Sequence, residues 1–236
     1  AKLIDLQKTF AMITCIEGSE GECGEQVLID SAGAFVAGQA ELIEDLHHGA
    51  LKSALERGGS GRLDITSLPG RAFFIDVISP PKKLILVGGV HISIALANIA
   101  HQLGYRTIVV DPRRLFATDE RFPAVDQLLR AWPLEAYQQI GLDRETAIAV
   151  LTHDPKIDDP AVIGALEHPV FYIGVLGSRK THASRLERLR QAGCDEQQLD
   201  RLHAPIGLHI GAQSPEEIAL SIMAEIVAAE HSALDR

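Results

Sequence analysis

The stretch Leu84–Asp111, LILVGGVHISIALANIAHQLGYRTIVVD, constrains the fold more than any other part of the chain. Leu84, Ile85, Leu86 and Val87 form the continuous apolar run that suits a parallel strand buried on both faces. Gly88 and Gly89 follow where a tight strand-to-helix turn falls. Ile92, Leu96, Ile99 and Leu103 then recur at the three- and four-residue steps of one helix face. Gly104 stands where a helix C-terminal glycine belongs. Thr107–Val110 is a second β-branched apolar run, and it ends on Asp111, about 20 residues beyond the glycines. Strand, glycine turn, helix, strand and acid make the βαβ layout of a dinucleotide-binding unit, in which the acid holds a ribose hydroxyl. The fingerprint G-x-G-x-x-G is incomplete, because Val90 and Ser93 occupy its second and third glycine positions. An isopropyl group at the second position takes up the space where backbone approaches a pyrophosphate. Arg113 and Arg114 leave the ribose 2′ position open between hydroxyl and phosphate.

The rest of the chain divides at Ser79-Pro80-Pro81-Lys82-Lys83, since two prolines cannot continue a central strand. Residues 1–79 read as a smaller α+β domain. It has strands at Phe10–Ile16, Gln26–Ile29, Ala34–Ala37 and Arg71–Ile78, and an acidic, glycine-rich loop at Glu17–Glu25. A helix is expected over Leu42–Leu55, with Leu42, Leu46, Leu51 and Leu55 inward. Residues 80–236 read as a doubly wound domain. After the βαβ unit comes a loop, Pro112–Pro133, holding one helical stretch at Ala124–Ala131. A strand Thr146–Leu151 precedes a helix with Asp159 as N-cap and Pro160 at its first position, running through Leu166. A strand Val170–Leu176, a basic helix Thr181–Gln191 and a last helix from Pro215 to Glu230 complete it, the last capped by Ser214 with Glu217 three residues on. Strands alternating with helices imply a parallel sheet covered on both faces.

Composition narrows the function classes. A formal charge of −10 over 236 residues argues against a general nucleic-acid or anionic-membrane surface, and no apolar run reaches the length of a membrane span. The opening AKLIDLQKTF has no signal-peptide layout, so the expectation is a cytoplasmic protein. Cys15, Cys23 and Cys194 lack zinc spacing and read as reduced thiols. No set of metal ligands is assigned from the sequence.

Ligands of open α/β sheets bind beyond the carboxyl ends of the strands. Three such ends carry suggestive residues. Gly88, Gly89, Val90 and His91 form a phosphate-type turn at a helix start, with Asp111 and Arg113 beside it. His153 and Asp154 suit a proton-transfer pair or metal ligands, or else a strand-end histidine that only bonds backbone. Gly177, Ser178 and Arg179, followed by Lys180, form a second anion-seeking turn, where basic residues oppose the helix dipole and so ask for a reason.

These residues fall in motifs. Phe116-Ala117-Thr118, Glu120-Arg121-Phe122-Pro123, Thr152-His153-Asp154, Tyr172–Arg179, His203–Leu208 and Ser214–Ile222 follow Asp111 in order. With them, roughly residues 84–228 resemble the XdhC/CoxI family, the accessory maturation factors of xanthine dehydrogenase and related molybdenum hydroxylases. The N-terminal part is similar more loosely, through Glu17-Gly18-Ser19 and the strands around Asp30. The resemblance implies a Rossmann-like domain that binds molybdopterin (the molybdenum cofactor), protects it while sulfur is added, and delivers it to the apo-subunit of a molybdenum hydroxylase. It further implies a homodimer, a cysteine desulfurase as a partner, and holding and release rather than turnover. The chain departs from the family where Val90-His91 replaces a Gly-His pair, where Glu20-Gly21-Glu22 replaces a proline- and arginine-bearing loop, and where Ala40 replaces a cysteine. Two other readings stay open: an NAD(P)-dependent oxidoreductase using His153 and Asp154, and a catalytically silent nucleotide sensor or scaffold.

Overall fold

In a computed structural model the chain forms two compact units, Ala1–Pro80 and Pro81–Arg236. The structure describes residues 9–19, 21–40, 51, 55, 60–64 and 70–234. The first unit is an antiparallel sheet of β1 (Phe10–Glu17), β2 (Gln26–Asp30), β3 (Phe35–Gly38), β4 (Gly61–Asp64) and β5 (Ala72–Ile78), in the order β3-β2-β1-β5-β4. Alternate residues supply its core: Ala11, Ile13 and Cys15 of β1 meet Val27 and Ile29 of β2 and Phe73 and Ile75 of β5. Asp30 makes the β2–β3 turn by accepting the Ala32 and Ala34 N–H groups at 2.9 Å each. Most of the helix expected over residues 42–55 lies outside the described residues. Leu51 and Leu55 are helical and pack on this core.

The second unit is a six-stranded parallel sheet. Its strands are β6 (Lys83–Val87), β7 (Arg106–Val110), β8 (Gln127–Leu129), β9 (Thr146–Val150), β10 (Tyr172–Val175) and β11 (Leu202–His203), ordered β11-β10-β9-β6-β7-β8. The helices are α1 (His91–Gln102), α2 (Pro133–Ile140), α3 (Pro155–Leu166), α4 (Arg179–Gln191), α5 (Glu196–Leu199) and α6 (Pro215–Leu234). The period of two in the strands makes two apolar layers. Ile85, Val87, Ile108, Val110, Ile148 and Val150 face α2, α3 and α4. Leu84, Leu86, Val109, Ala147 and Ala149 face α1 and α6. The continuous apolar runs thus bury both faces, each large side chain contributing about 1.5–3 kcal/mol.

Three expectations are corrected. Ala124–Ala131 is not helical: Gln127–Leu129 is strand β8, paired in parallel with Ile108–Val110. The Asp126 carboxylate accepts the Thr107 N–H at 2.8 Å and its hydroxyl at 3.0 Å, which pins the segment beside β7. α3 begins at Pro155 with Asp154 as its cap, and Pro160 lies inside it. Asp154 accepts the Lys156 N–H at 3.0 Å, whereas Asp159 is turned to Arg188, with contacts of 2.5 and 2.9 Å. The basic helix starts at Arg179 rather than Thr181, because Ser178 caps it. The helix α2, with Pro133 in its first turn, was not anticipated from the sequence.

Candidate functional site

The switch point of this sheet lies between β6 and β9, whose following connections run to opposite sides. Gly88 closes β6 with φ +112°, and a methyl group built on it would stand 2.7 Å from Thr152 Cγ2. Glycine is required there by backbone conformation and by the close approach of the β9 end. Ser93, at the third glycine position of the fingerprint, is fully buried and donates its hydroxyl to the Gly88 carbonyl at 2.5 Å. Val90 is the N-cap residue of α1, and its side chain packs against the apolar layer of α1 and α6. No side chain caps α1, so its first N–H groups have no side-chain acceptor. His91 opens the helix and is exposed.

Asp111 is placed differently from a ribose-binding acid. Its carboxylate is fully buried and accepts the Gly89 N–H at 2.8 Å, the Arg113 N–H at 2.9 Å, and Arg113 Nε and Nη2 at 2.9 and 2.7 Å. It therefore ties the glycine turn to the loop after β7. Arg113 in turn lies over the Phe116 ring at 4.0 Å, and the Phe116 backbone covers Gly89. Burial pushes the Asp111 pKa up, but the hydrogen bonds from Arg113 and Gly89 outweigh it and hold the carboxyl below its usual range. A depressed folded-state pKa gives stability that is complete above the unfolded value of about 4 and lost as pH falls through the folded one. Asp111→Asn is therefore expected to flatten the acid limb of a plot of melting temperature against pH, with its largest cost at neutral pH. Equal acid sensitivity of wild type and variant would remove Asp111 from this role.

At the end of β9, His153 is exposed and has φ +64°, a left-handed conformation that costs a non-glycine residue about 1–3 kcal/mol. Asp154 is engaged as the α3 cap, so the structure brings the two residues together in sequence only: no hydrogen bond joins them among the described residues. At the end of β10, Gly177 has φ +148°, and Ser178 caps α4 by accepting the Thr181 N–H at 3.1 Å. Arg179 and Lys180 are exposed.

The three strand ends are joined underneath by residues to which the sequence assigned no role in the site. Thr152 donates its hydroxyl to Asp158 Oδ1 at 2.6 Å and accepts the Asp154 N–H at 3.0 Å. Asp158 Oδ2 faces Arg185 Nη2 at 3.4 Å, and the same nitrogen donates to the Leu176 carbonyl at 3.2 Å. The Asp158 and Arg185 side chains are only 1% and 2% exposed. Burial pushes Asp158 up and Arg185 down, and their pairing offsets only part of either shift. The chain of contacts runs from Gly88 through Thr152, Asp158 and Arg185 to Gly177. The one sequence signal was Arg185 standing four residues before the buried Leu189, on an inward helix face where a charge asks for a partner. In the N-terminal unit the acidic loop closes on itself: Glu22 accepts the Ser19 N–H at 2.7 Å, and Glu22 and Glu25 face Arg71 at 3.7 and 3.5 Å.

Counted from β6, the strand order is 3-2-1-4-5-6, and the glycine turn follows the first strand, which together define a Rossmann-type binding domain. The XdhC Rossmann domain family matches residues 84–226, and the chain belongs to that family. It is 30% identical to the "Uncharacterized protein YqeB" of Escherichia coli (strain K12) over 99% of its own length. It is 36% identical over 154 residues, 65% of its length, to a probable xanthine dehydrogenase subunit from Bacillus subtilis (strain 168). Over 95 residues, 40% of its length, it is 36% identical to the "Molybdenum cofactor insertion chaperone PaoD" of Escherichia coli (strain K12). The chain spans less than half of each of these relatives, 46%, 44% and 29% respectively. The crystal structure of a xanthine dehydrogenase from Bacillus halodurans shares the fold, with a TM-score of 0.72 and 24% identity over 98% of this chain and 62% of that one. No helix among the described residues is long and apolar enough to cross a membrane.

Proposed function

We propose that this chain binds a molybdopterin-type cofactor and passes it to the apo-subunit of a molybdenum hydroxylase of the xanthine dehydrogenase kind. Family membership and the names of the Bacillus subtilis and PaoD relatives support the reading. The structural observation that carries it is the convergence of two strand-to-helix turns, Gly88–His91 and Gly177–Arg179, on one end of the sheet, linked through Thr152, Asp158 and Arg185. Helix starts of this kind attract the phosphate that such a pterin carries. The α1 start, free of a side-chain cap, and the Arg179 and Lys180 side chains fit that group. When bound, the cofactor supplies the redox chemistry of its eventual enzyme; this chain holds and releases it. Homodimerisation and a cysteine desulfurase that sulfurates the held cofactor belong to the same proposal.

The oxidoreductase reading draws less support. Both Asp111 oxygens are engaged by Gly89 and Arg113, which leaves a nicotinamide dinucleotide without the acid that would hold its ribose. The test is size separation of the purified chain mixed with molybdopterin. Co-elution of pterin with protein is the expected result. Free pterin, beside a cofactor-binding control that retains it, overturns the proposal, and NAD(P)H retained in its place would point to the nucleotide-binding alternatives.

A further inference from the structure

We propose that Arg185 is the interior half of an anion subsite at the Gly177–Arg179 turn, where its Nη1 takes one oxygen of a phosphate-type group whose other oxygens meet the start of α4. The inference deepens the reading above, from which it takes a phosphate-bearing ligand.

Arg185 is 2% exposed, yet its Nη1 and Nε have no hydrogen-bond partner. His182 Nδ1, one turn earlier on the same helix, is also buried and unpartnered. Leaving a buried donor unpaired is costly, and native proteins keep such groups where something else completes them. A guanidinium has five N–H donors, and here a single nitrogen, Nη2, serves both Asp158 and the Leu176 carbonyl at 3.4 and 3.2 Å. Nε stands 4.0 Å from the nearest Asp159 oxygen, beyond hydrogen-bond reach, and Asp159 is held by Arg188.

Nη1 is aimed at the turn. A methyl group built on Gly177 would lie 3.8 Å from it and 3.4 Å from Thr181 Cβ and Cγ2, so Nη1 stands buried directly behind the turn, and a ligand oxygen reaches it as the exposed Thr181 side chain shifts. The φ of +148° reserves the position for glycine. The charges also favour an anion. Asp158 balances Arg185 and Asp159 balances Arg188, while Arg179 and Lys180 at the helix start are exposed and add positive charge to the dipole end. A planar carboxylate offers two oxygens in one plane. A tetrahedral phosphate offers oxygens toward the helix start and toward Nη1 at once, which selects the phosphate class.

The probes are inorganic phosphate and pyrophosphate, with acetate as the planar comparison, titrated calorimetrically into the whole chain at low salt. Wild type is expected to bind phosphate and pyrophosphate more tightly than acetate. The charge-balanced double variant Asp158→Asn/Arg185→Gln is expected to bind phosphate roughly tenfold more weakly or worse. Equal phosphate affinity in the folded double variant overturns the proposal. A crystal structure of wild type in phosphate needs no variant to fold. A phosphate oxygen within hydrogen-bond distance of Nη1 supports the subsite, whereas a water alone at Nη1, or an adventitious ion only, placed elsewhere, overturns it. Phosphate bound through Arg185 with no retention of molybdopterin would leave the subsite standing and remove the cofactor reading; molybdopterin retained with Nη1 unengaged would do the reverse.

Discussion

Asp158→Ala is expected to destabilise the C-terminal unit by about 3–5 kcal/mol, because it breaks a buried ion pair by removing one partner. The alanine leaves the Arg185 charge buried without its carboxylate and takes away the acceptor of the Thr152 hydroxyl. The cost of an unpaired buried cation exceeds what the intact pair contributes, so removing both charges is expected to be far milder. Asp158→Leu/Arg185→Met should recover most of the lost stability, because a buried ion pair replaced by apolar groups of similar volume is often neutral. Urea denaturation of the wild type and both variants checks this. A single variant within about 1 kcal/mol of wild type would mean that water already reaches Arg185 and that the guanidinium is not desolvated as its 2% exposure implies.

Gly89→Ala is the second large effect. A methyl group there would stand 2.3 Å from the Phe116 carbonyl oxygen and 2.8 Å from its carbonyl carbon, and backbone cannot swing aside as a side-chain tip can. Overpacking of this kind costs about 1–3 kcal/mol. The displaced loop carries the Arg113–Phe116 stack, so the substitution should also loosen the bond between Gly89 and Asp111 and weaken whatever the turn binds. Gly104→Ala separates crowding from backbone conformation. Gly104 has φ +81° but nothing within 4 Å of a built methyl group, and its substitution should lower stability with no effect on ligand retention. If the two alanine variants lose stability and ligand alike, the Phe116 contact is not what makes Gly89 necessary.

How far the sequence reached can be followed residue by residue. The apolar runs at Leu84–Val87 and Thr107–Val110, the helical period between them and the positive-φ glycine Gly88 are local signals, and they appear as β6, β7, α1 and the turn at the switch point. Strand runs at Thr146 and Val170 were legible for the same reason: a strand buried on both faces reads as a near-continuous apolar, β-branched run. The helix expected at Ala124–Ala131 failed because its decisive interaction, Asp126 with Thr107, lies across the chain rather than along it. The cap of α3 shows the limit of local pattern most clearly. Asp154-Pro155 and Asp159-Pro160 carry the same acid-then-proline signature, and nothing within either pair chooses between them. The choice is made by Arg188 on α4, which takes the Asp159 carboxylate and leaves Asp154 to cap.

The sequence by itself determined the doubly wound sheet, the places where its four central strands end, and the glycines and basic residues that stand at those ends, because hydrophobic period and backbone conformation are written in consecutive residues. Only the tertiary structure decided what those ends do to one another. Asp111, in the ribose-binding position, is turned inward to fasten Gly89 to Arg113. Arg185, lost in a basic helix when read in line, is carried by the packing of α4 beneath the ends of β9 and β10, where it meets Asp158 and lies behind Gly177. Burial and the pairing of distant charges arise when separated segments meet, and no stretch of neighbouring residues encodes them.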